Sequence, residues 1–154
     1  MTIYLVRHAA AGDRGKWDGP DWIRPLTDRG RAQARGVLEH LKDATFARIV
    51  SSAYVRCTET TLPVAAAHSM TIEINDALAE GADVEATLAL LKEVADDGAV
   101  LCSHGDMIPA VLDHLAAAGL ALGPRAKVEK GSVWVLETRG GSVCAARYLP
   151  PLEA

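Results

Sequence analysis

The sequence is short of the residues that build several common kinds of protein. It has only three cysteines, Cys57, Cys102 and Cys144, far apart and in no Cys-x-x-Cys pair. That spacing suggests neither a disulfide framework nor a zinc site, and it fits a reducing cytosol. Aromatic residues make up 5% of the chain, too few for a base-stacking platform. Positive charge is not in excess either, because 16 Lys and Arg face 20 Asp and Glu for a net charge of −4. A general phosphate-backbone binder is usually basic, so nucleic acid is not the expected partner. No apolar run approaches the roughly 20 residues of a membrane span, and no membrane partner is expected. The opening MTIYLVRHAAAG has too short an apolar stretch before Arg7 for an export signal, which leaves the cytoplasm as the expected location.

What remains is ordinary globular composition: 49% hydrophobic and 23% charged residues over 154 positions. That is one domain's worth, expected to span residues 1–154. Short apolar strands are predicted at Thr2–Arg7, Ala47–Ser51, Thr71–Asn75 and Ala99–Ser103. Amphipathic helices alternate with them, capped by Thr27 over DRGRAQARGVLEHLK, then over Val55–His68, Val84–Ala95 and Met107–Ala118. Pro63 predicts a kink or an early break in the second helix. Leu88, Leu91 and Ala95 mark the apolar face of the third. A hairpin is predicted over Ser132–Thr138 and Ser142–Tyr148 across a glycine-rich turn. The pattern reads as an α/β fold, a three-layer α/β/α sandwich with a mostly parallel sheet and a C-terminal hairpin.

In such sheets ligands bind beyond the carboxyl ends of the strands. Those ends carry Arg7-His8, Ser51-Ser52 and Ser103-His104, and Arg56 opens the helix after the second. Two arginines form forked donors to a tetrahedral dianion. A neutral imidazole is a competent nucleophile for phosphorus, and a second can donate to its oxygens. These residue types suit phosphoryl transfer through electrostatics and positioning, with no metal and no cofactor expected.

The same residues carry a family resemblance. Leu5-Val6-Arg7-His8-Ala9 resembles the Arg-His-Gly signature of the histidine phosphatase superfamily, the phosphoglycerate-mutase-like proteins. Ser51-Ser52 through Arg56 to Thr60 resembles its Ser-Ser-x-x-x-Arg-x-x-x-Thr block, and Leu101-Cys102-Ser103-His104-Gly105 its Ser/Thr-His-Gly block. Pro25 to Ala34 is similar to the opening of its first helix. Short length likens the chain to small bacterial phosphohistidine phosphatases. The run Gly19 to Leu26 also resembles the phosphatase domain fused to some Nudix hydrolases, although the chain has no Nudix box.

The resemblance implies that His8 is the nucleophile and forms a phosphohistidine, surrounded by Arg7, Arg56 and His104. Glu80 sits where many members carry an acid that protonates the leaving oxygen. Glu73, Asp83 and Glu85 are nearby competitors for that role. Ala9 departs from the signature glycine. Either the backbone there does not need a positive φ, or the site is slightly strained.

Ser103 and Gly105 belong to the third block and are candidate phosphate or substrate contacts. Arg24 and Lys16 either meet a second anionic group on the substrate or are solvated charges. Trp17 or Trp22 either lines the substrate mouth or belongs to the core. Cys57 and Cys102 read as buried small thiols. The expected partner is a small phosphorylated substrate or a phosphoprotein, with phosphohistidine, phosphate esters and nucleotides all open; the residues do not define an oligomeric state. A phosphate-binding or interaction module of the same fold is the alternative to an enzyme, and a phosphomutase is a minor one.

Overall fold

The computed structural model describes residues 1–123 and 127–154. Chain order is β1 (Thr2–Arg7), α1 (Asp28–Leu41), β2 (Arg48–Ser51), α2 (Val55–His68), β3 (Ile72–Ile74), α3 (Val84–Val94), β4 (Ala99–Ser103), α4 (Met107–Ala117), β5 (Val133–Arg139) and β6 (Ser142–Leu149). Short 3-10 turns lie at Arg14–Lys16, Asp21–Ile23 and Asp76–Leu78. The expected α/β architecture is present. The strands form one six-stranded sheet in the order β3-β2-β4-β1-β5-β6. The first four are mutually parallel, while β5 runs antiparallel to β1 and β6 antiparallel to β5.

Side-chain alternation along the strands builds two cores. Ile3 and Leu5 of β1, Leu101 of β4 and Trp134 and Leu136 of β5 face α3 and α4, meeting Leu90, Leu91, Val94, Ile108 and Leu112. Val6, Val100, Cys102, Val133 and Val135 face the other way and meet Val37, Leu41, Cys57 and Val64 of α1 and α2. A sheet with helices on both faces needs this two-sided apolar pattern. Each fully buried aliphatic side chain contributes about 1.5–3 kcal/mol.

Side-chain caps mark the starts of two of the four described helices. Thr27 accepts a hydrogen bond from Gly30 N at the start of α1, and Asp83 accepts one from Glu85 N at the start of α3. The third helix buries Leu91, and Ala95 just after it, as expected, and also Thr87, Leu90 and Val94, while Leu88 is only partly covered. Helix α2 also differs from expectation, because it continues through Pro63 to His68 without a break. Pro63 cannot donate to the turn before it, but Val64 and Ala65 just after it are buried and hold the helix against the sheet.

Register positions the site. Arg7 pairs with Ser103, and Ser51 pairs with Cys102. The carboxyl ends of β1, β4 and β2 therefore finish side by side.

Candidate active site

His8 stands one residue beyond β1. Its backbone N donates to Ser103 O at 3.0 Å, so β4 fixes its entry. The imidazole Nδ1 lies 2.8 Å from Ala9 O. A carbonyl only accepts, so Nδ1 carries the hydrogen and the lone pair is on Nε2. The ring is buried, and burial is the main cause that lowers its pKa from 6.5 to about 3. The Ala9 bond opposes the shift, and the charges of His104, Arg56 and Arg7 add to it. Loss of water thus outweighs the two arginines as the cause. At neutral pH His8 is an uncharged imidazole with a free Nε2.

Ala9 is buried, and its N donates to Thr60 Oγ1 at 2.9 Å. Among the described residues Ser69 is the sole non-glycine with positive φ. The backbone at Ala9 therefore does not need glycine, and no strain attaches to it. Thr60 itself donates to Arg56 O at 2.6 Å. This threonine of the second sequence block thus ties α2 to the segment that holds the nucleophile.

His104 sits behind His8, with ring centroids 5.3 Å apart in an edge-on arrangement. It is 1% exposed, and its Nε2 lies 2.9 Å from Ser52 Oγ and 3.5 Å from Cys57 Sγ. Cys57 and Cys102 are both fully buried, as expected.

The two arginines are held differently. Arg7 Nη1 donates to Val128 O at 2.6 Å. A Cβ at Gly105 would stand 2.6 Å from Arg7 Nη2, so the glycine after His104 makes room for that guanidinium. Arg56 is 1% exposed, and its Nη1 donates to Asp21 O at 3.0 Å. Its Nη2 donates to Asp21 Oδ2 at 3.1 Å and Glu80 Oε2 at 3.3 Å. The Tyr54 ring lies under it, 4.7 Å from centroid to Cζ. Arg7 Nε, Arg56 Nε and His104 Nδ1 are buried with no hydrogen-bond partner among the described residues. Unpaired buried polar groups cost about 1–3 kcal/mol each, and three of the four among the described residues sit on the side chains around His8, the fourth being Ser132 Oγ.

A cavity of about 500 Å³ opens at these strand ends, with Arg7, His8, Arg56, Glu80, Arg24 and Gly105 in its wall. His104 and Ser103 lie behind that wall. Ser103 Oγ donates to Leu78 O at 2.7 Å and Ser103 O receives His8 N, so Ser103 is a brace rather than a contact residue. Trp17 is not in the wall; it donates from Nε1 to Pro20 O at 3.0 Å within its own loop. Trp22 is 56% exposed, Trp134 belongs to the core, and Lys16 does not line the cavity.

Glu80 bridges Arg56 and Arg14, with Arg14 Nη2 at 2.8 Å from Oε1. Glu73 instead pairs with Arg48, while Asp83 caps α3. Five charged groups at or beside the site escaped the sequence reading: Asp13, Arg14, Asp106 and Lys130 in the wall, and Asp21 behind it. Asp106 directly follows the Ser-His-Gly block and its Oδ2 receives Gly81 N at 2.8 Å, so position alone could have flagged it. Asp21 and Lys130 carry no such signal. The described residues contain no cluster of three or more His, Cys, Asp or Glu arranged to hold a metal ion.

The chain belongs to the histidine phosphatase superfamily (branch 1), whose sequence pattern matches residues 3–82. It is also 32% identical over 155 residues to an 8-oxo-(d)GTP phosphatase of Mycolicibacterium smegmatis, covering 97% of this chain and 48% of that protein. The chain thus spans about half the length of that relative. Its fold is similar to that of the protein histidine phosphatase SixA solved with tungstate, with a TM-score of 0.73 at 18% identity over 99% of this chain and 97% of that one. It is also similar to YhfR of Bacillus stearothermophilus, with a TM-score of 0.75 at 18% identity over 92% and 93% of the two chains. No helix among the described residues is long and apolar enough to cross a membrane.

Proposed function

We propose that this member of the superfamily is a phosphatase that passes a phosphoryl group from its substrate to His8 and then to water. The observation that carries this reading is the state of His8. Its Nδ1 is committed to Ala9 O, its pKa is far below neutrality, and its ring lines a cavity shared with Arg7 and Arg56. A nucleophile needs an available lone pair, and this arrangement supplies one on Nε2 without a base to remove a proton.

In the first step Nε2 attacks phosphorus, and the bond from phosphorus to the leaving oxygen breaks with its electron pair on that oxygen. Arg7 and Arg56 take the charge on the phosphoryl oxygens. His104 supports the His8 ring from behind. Water then attacks the phosphohistidine and releases inorganic phosphate. Glu80 faces the same cavity and is the group we assign to protonate an alkoxide leaving group. The arginines supply the positive charge that a metal provides in other phosphoryl-transfer sites, so turnover is expected to survive EDTA. The whole of residues 1–154 acts as a single catalytic domain in this reading, in the cytoplasm, where the three thiols stay reduced.

The substrate is a small phosphorylated molecule or a phosphoprotein side chain. The relative that acts on 8-oxo-(d)GTP favours nucleotides among the possibilities. The test is phosphate release from 4-nitrophenyl phosphate, a phosphohistidine peptide and nucleotides by the wild type and His8→Ala. The expected result is turnover by the wild type and none by the variant. Equal turnover by His8→Ala overturns the reading.

A further inference from the structure

One cation in the cavity wall is left unexplained by the transfer of a single phosphoryl group. Among the described residues the wall carries five cationic side chains against three carboxylates, in a chain whose net charge is −4. Three of the five are matched by carboxylates: Arg14 by Glu80, Arg24 by Asp21, and Arg56 by both. Arg7 and Lys130 form no ion pair among the described residues. Arg7 is assigned to the transferred group. Lys130 has no such duty.

Its position is nonetheless built. Ser132 N donates to Glu129 O at 3.0 Å across a turn in which Lys130 is the second residue and Gly131 the third. Gly131 has φ 80°, the left-handed value that the third position of a type II turn requires. Gly131 N then donates to Arg7 O at 3.1 Å and to His8 O at 3.2 Å, and Arg7 N donates to Ser132 O at 3.1 Å. Arg7 Nη1 binds Val128 O in the same segment. The turn is thus fastened to the backbone of Arg7 and of the nucleophile itself, and it holds the Lys130 stem beside them.

The neighbouring acids are engaged elsewhere. The Glu129 carboxylate receives Tyr148 OH at 2.8 Å, Asp13 receives Gly15 N at 2.9 Å, and Asp106 receives Gly81 N. Partial burial and the nearby charges of Arg7, Arg24, Arg29 and Arg56 lower the Lys130 pKa from its usual value. An ammonium held among cations, without a carboxylate, is a site for an anion.

We propose that Lys130 binds a second phosphoryl group adjacent to the one transferred, so that the substrate is a phosphoanhydride such as a nucleoside diphosphate. This rests on the phosphatase reading above and goes one step beyond it. His8 Nε2 bonds to the terminal phosphorus, the bridging P–O bond breaks, and its electron pair leaves with the inner phosphate. That leaving group is itself a phosphate, whose second pKa is about 6, so it departs as an anion without a proton from Glu80. Lys130 neutralises the charge that develops on it. A phosphoanhydride also agrees with a Glu80 carboxylate already bound by two arginines.

The experiment compares kcat/KM for ADP and for 4-nitrophenyl phosphate in the wild type, Lys130→Met, Lys130→Arg and Lys16→Met. Lys130 is exposed, so removing its charge does not threaten the fold. Lys16→Met makes the same change of net charge outside the cavity wall. The expected result is that Lys130→Met lowers the ADP to 4-nitrophenyl phosphate ratio by roughly 10- to 100-fold. Lys130→Arg restores most of it, and Lys16→Met leaves it in place. An unchanged ratio in Lys130→Met, an equal fall in Lys16→Met, or a wild type that hydrolyses 4-nitrophenyl phosphate but not ADP overturns the proposal while leaving the phosphatase reading standing. A wild type that hydrolyses neither overturns both.

Discussion

Asp21 grips Arg56 twice, through its backbone carbonyl at 3.0 Å and its carboxylate at 3.1 Å. The same carboxylate receives Arg24 Nε at 3.0 Å and lies 3.4 Å from Arg14 Nε. Burial pushes the Asp21 carboxyl up, but the hydrogen bonds and charges of these arginines outweigh it and hold its pKa below the usual carboxylate value. One acidic residue of the long loop thus orients the cavity-lining arginine of α2.

Asp21→Ala removes the carboxylate half of that grip and leaves Arg24, only 6% exposed, without its carboxylate. The expected loss of stability is about 1–3 kcal/mol, because a buried charged donor loses its partner. kcat/KM is expected to fall roughly tenfold as Arg56 loses its orientation. Denaturant unfolding and steady-state kinetics on one preparation check both. A variant with wild-type kinetics removes Asp21 from any positioning role.

The His8 pKa sets a pH dependence of stability. The unfolded chain takes up a proton at His8 near pH 6.5, whereas the folded chain resists it until about 3. Between those values the unfolded state binds more protons, so stability falls as pH drops through the window and is unaffected by His8 above it. His8→Asn removes this contribution, which has a slope of up to about 1.4 kcal/mol per pH unit. Unfolding of wild type and variant at pH 7.5 and 4.5 measures it. NMR of the His8 ring is expected to show no titration between pH 8 and 5.

Glu80 separates leaving groups. If it donates a proton, Glu80→Gln slows hydrolysis of alkyl phosphates by roughly 10²–10⁴-fold. Aryl phosphates, whose oxygen leaves readily, lose much less. Equal small losses on both classes show that Glu80 serves only as the bridge between Arg14 and Arg56.

Gly105→Ala probes Arg7. The added Cβ lies within 3 Å of three guanidinium atoms, so Arg7 must move. Circular dichroism is expected to stay native-like while the inhibition constant for inorganic phosphate rises roughly tenfold. Unchanged phosphate inhibition contradicts the assignment of Arg7 to the phosphoryl group.

Local chemistry made much of this legible in the sequence. β1 and β4 have the expected bounds because each is a short apolar run that stops at a polar pair. His8, Arg7, Arg56, Glu80, Arg24 and Gly105 share one cavity because parallel strands end together. Trp17 and Ser103 went elsewhere, one folding onto Pro20 three residues on and the other bracing Leu78 across 25 positions. Asp21 and Lys130 were not legible at all. Asp21 reaches Arg56 across 35 positions, and Lys130 reaches the site through a turn held by the backbone of β1. Neither distance is written in hydrophobic periodicity or in a short motif. Pro63 misled because propensity describes a helix alone, whereas this one is held by the sheet it covers.

Acid-quenching the enzyme within its first turnovers of a phosphate-labelled substrate, followed by peptide mapping, tests the central claim most directly. The account predicts label on the peptide that carries His8, lost in acid and retained in base, and no label in His8→Ala. Label on another residue, or turnover with no trapped phosphate alongside an active His8→Ala, contradicts it.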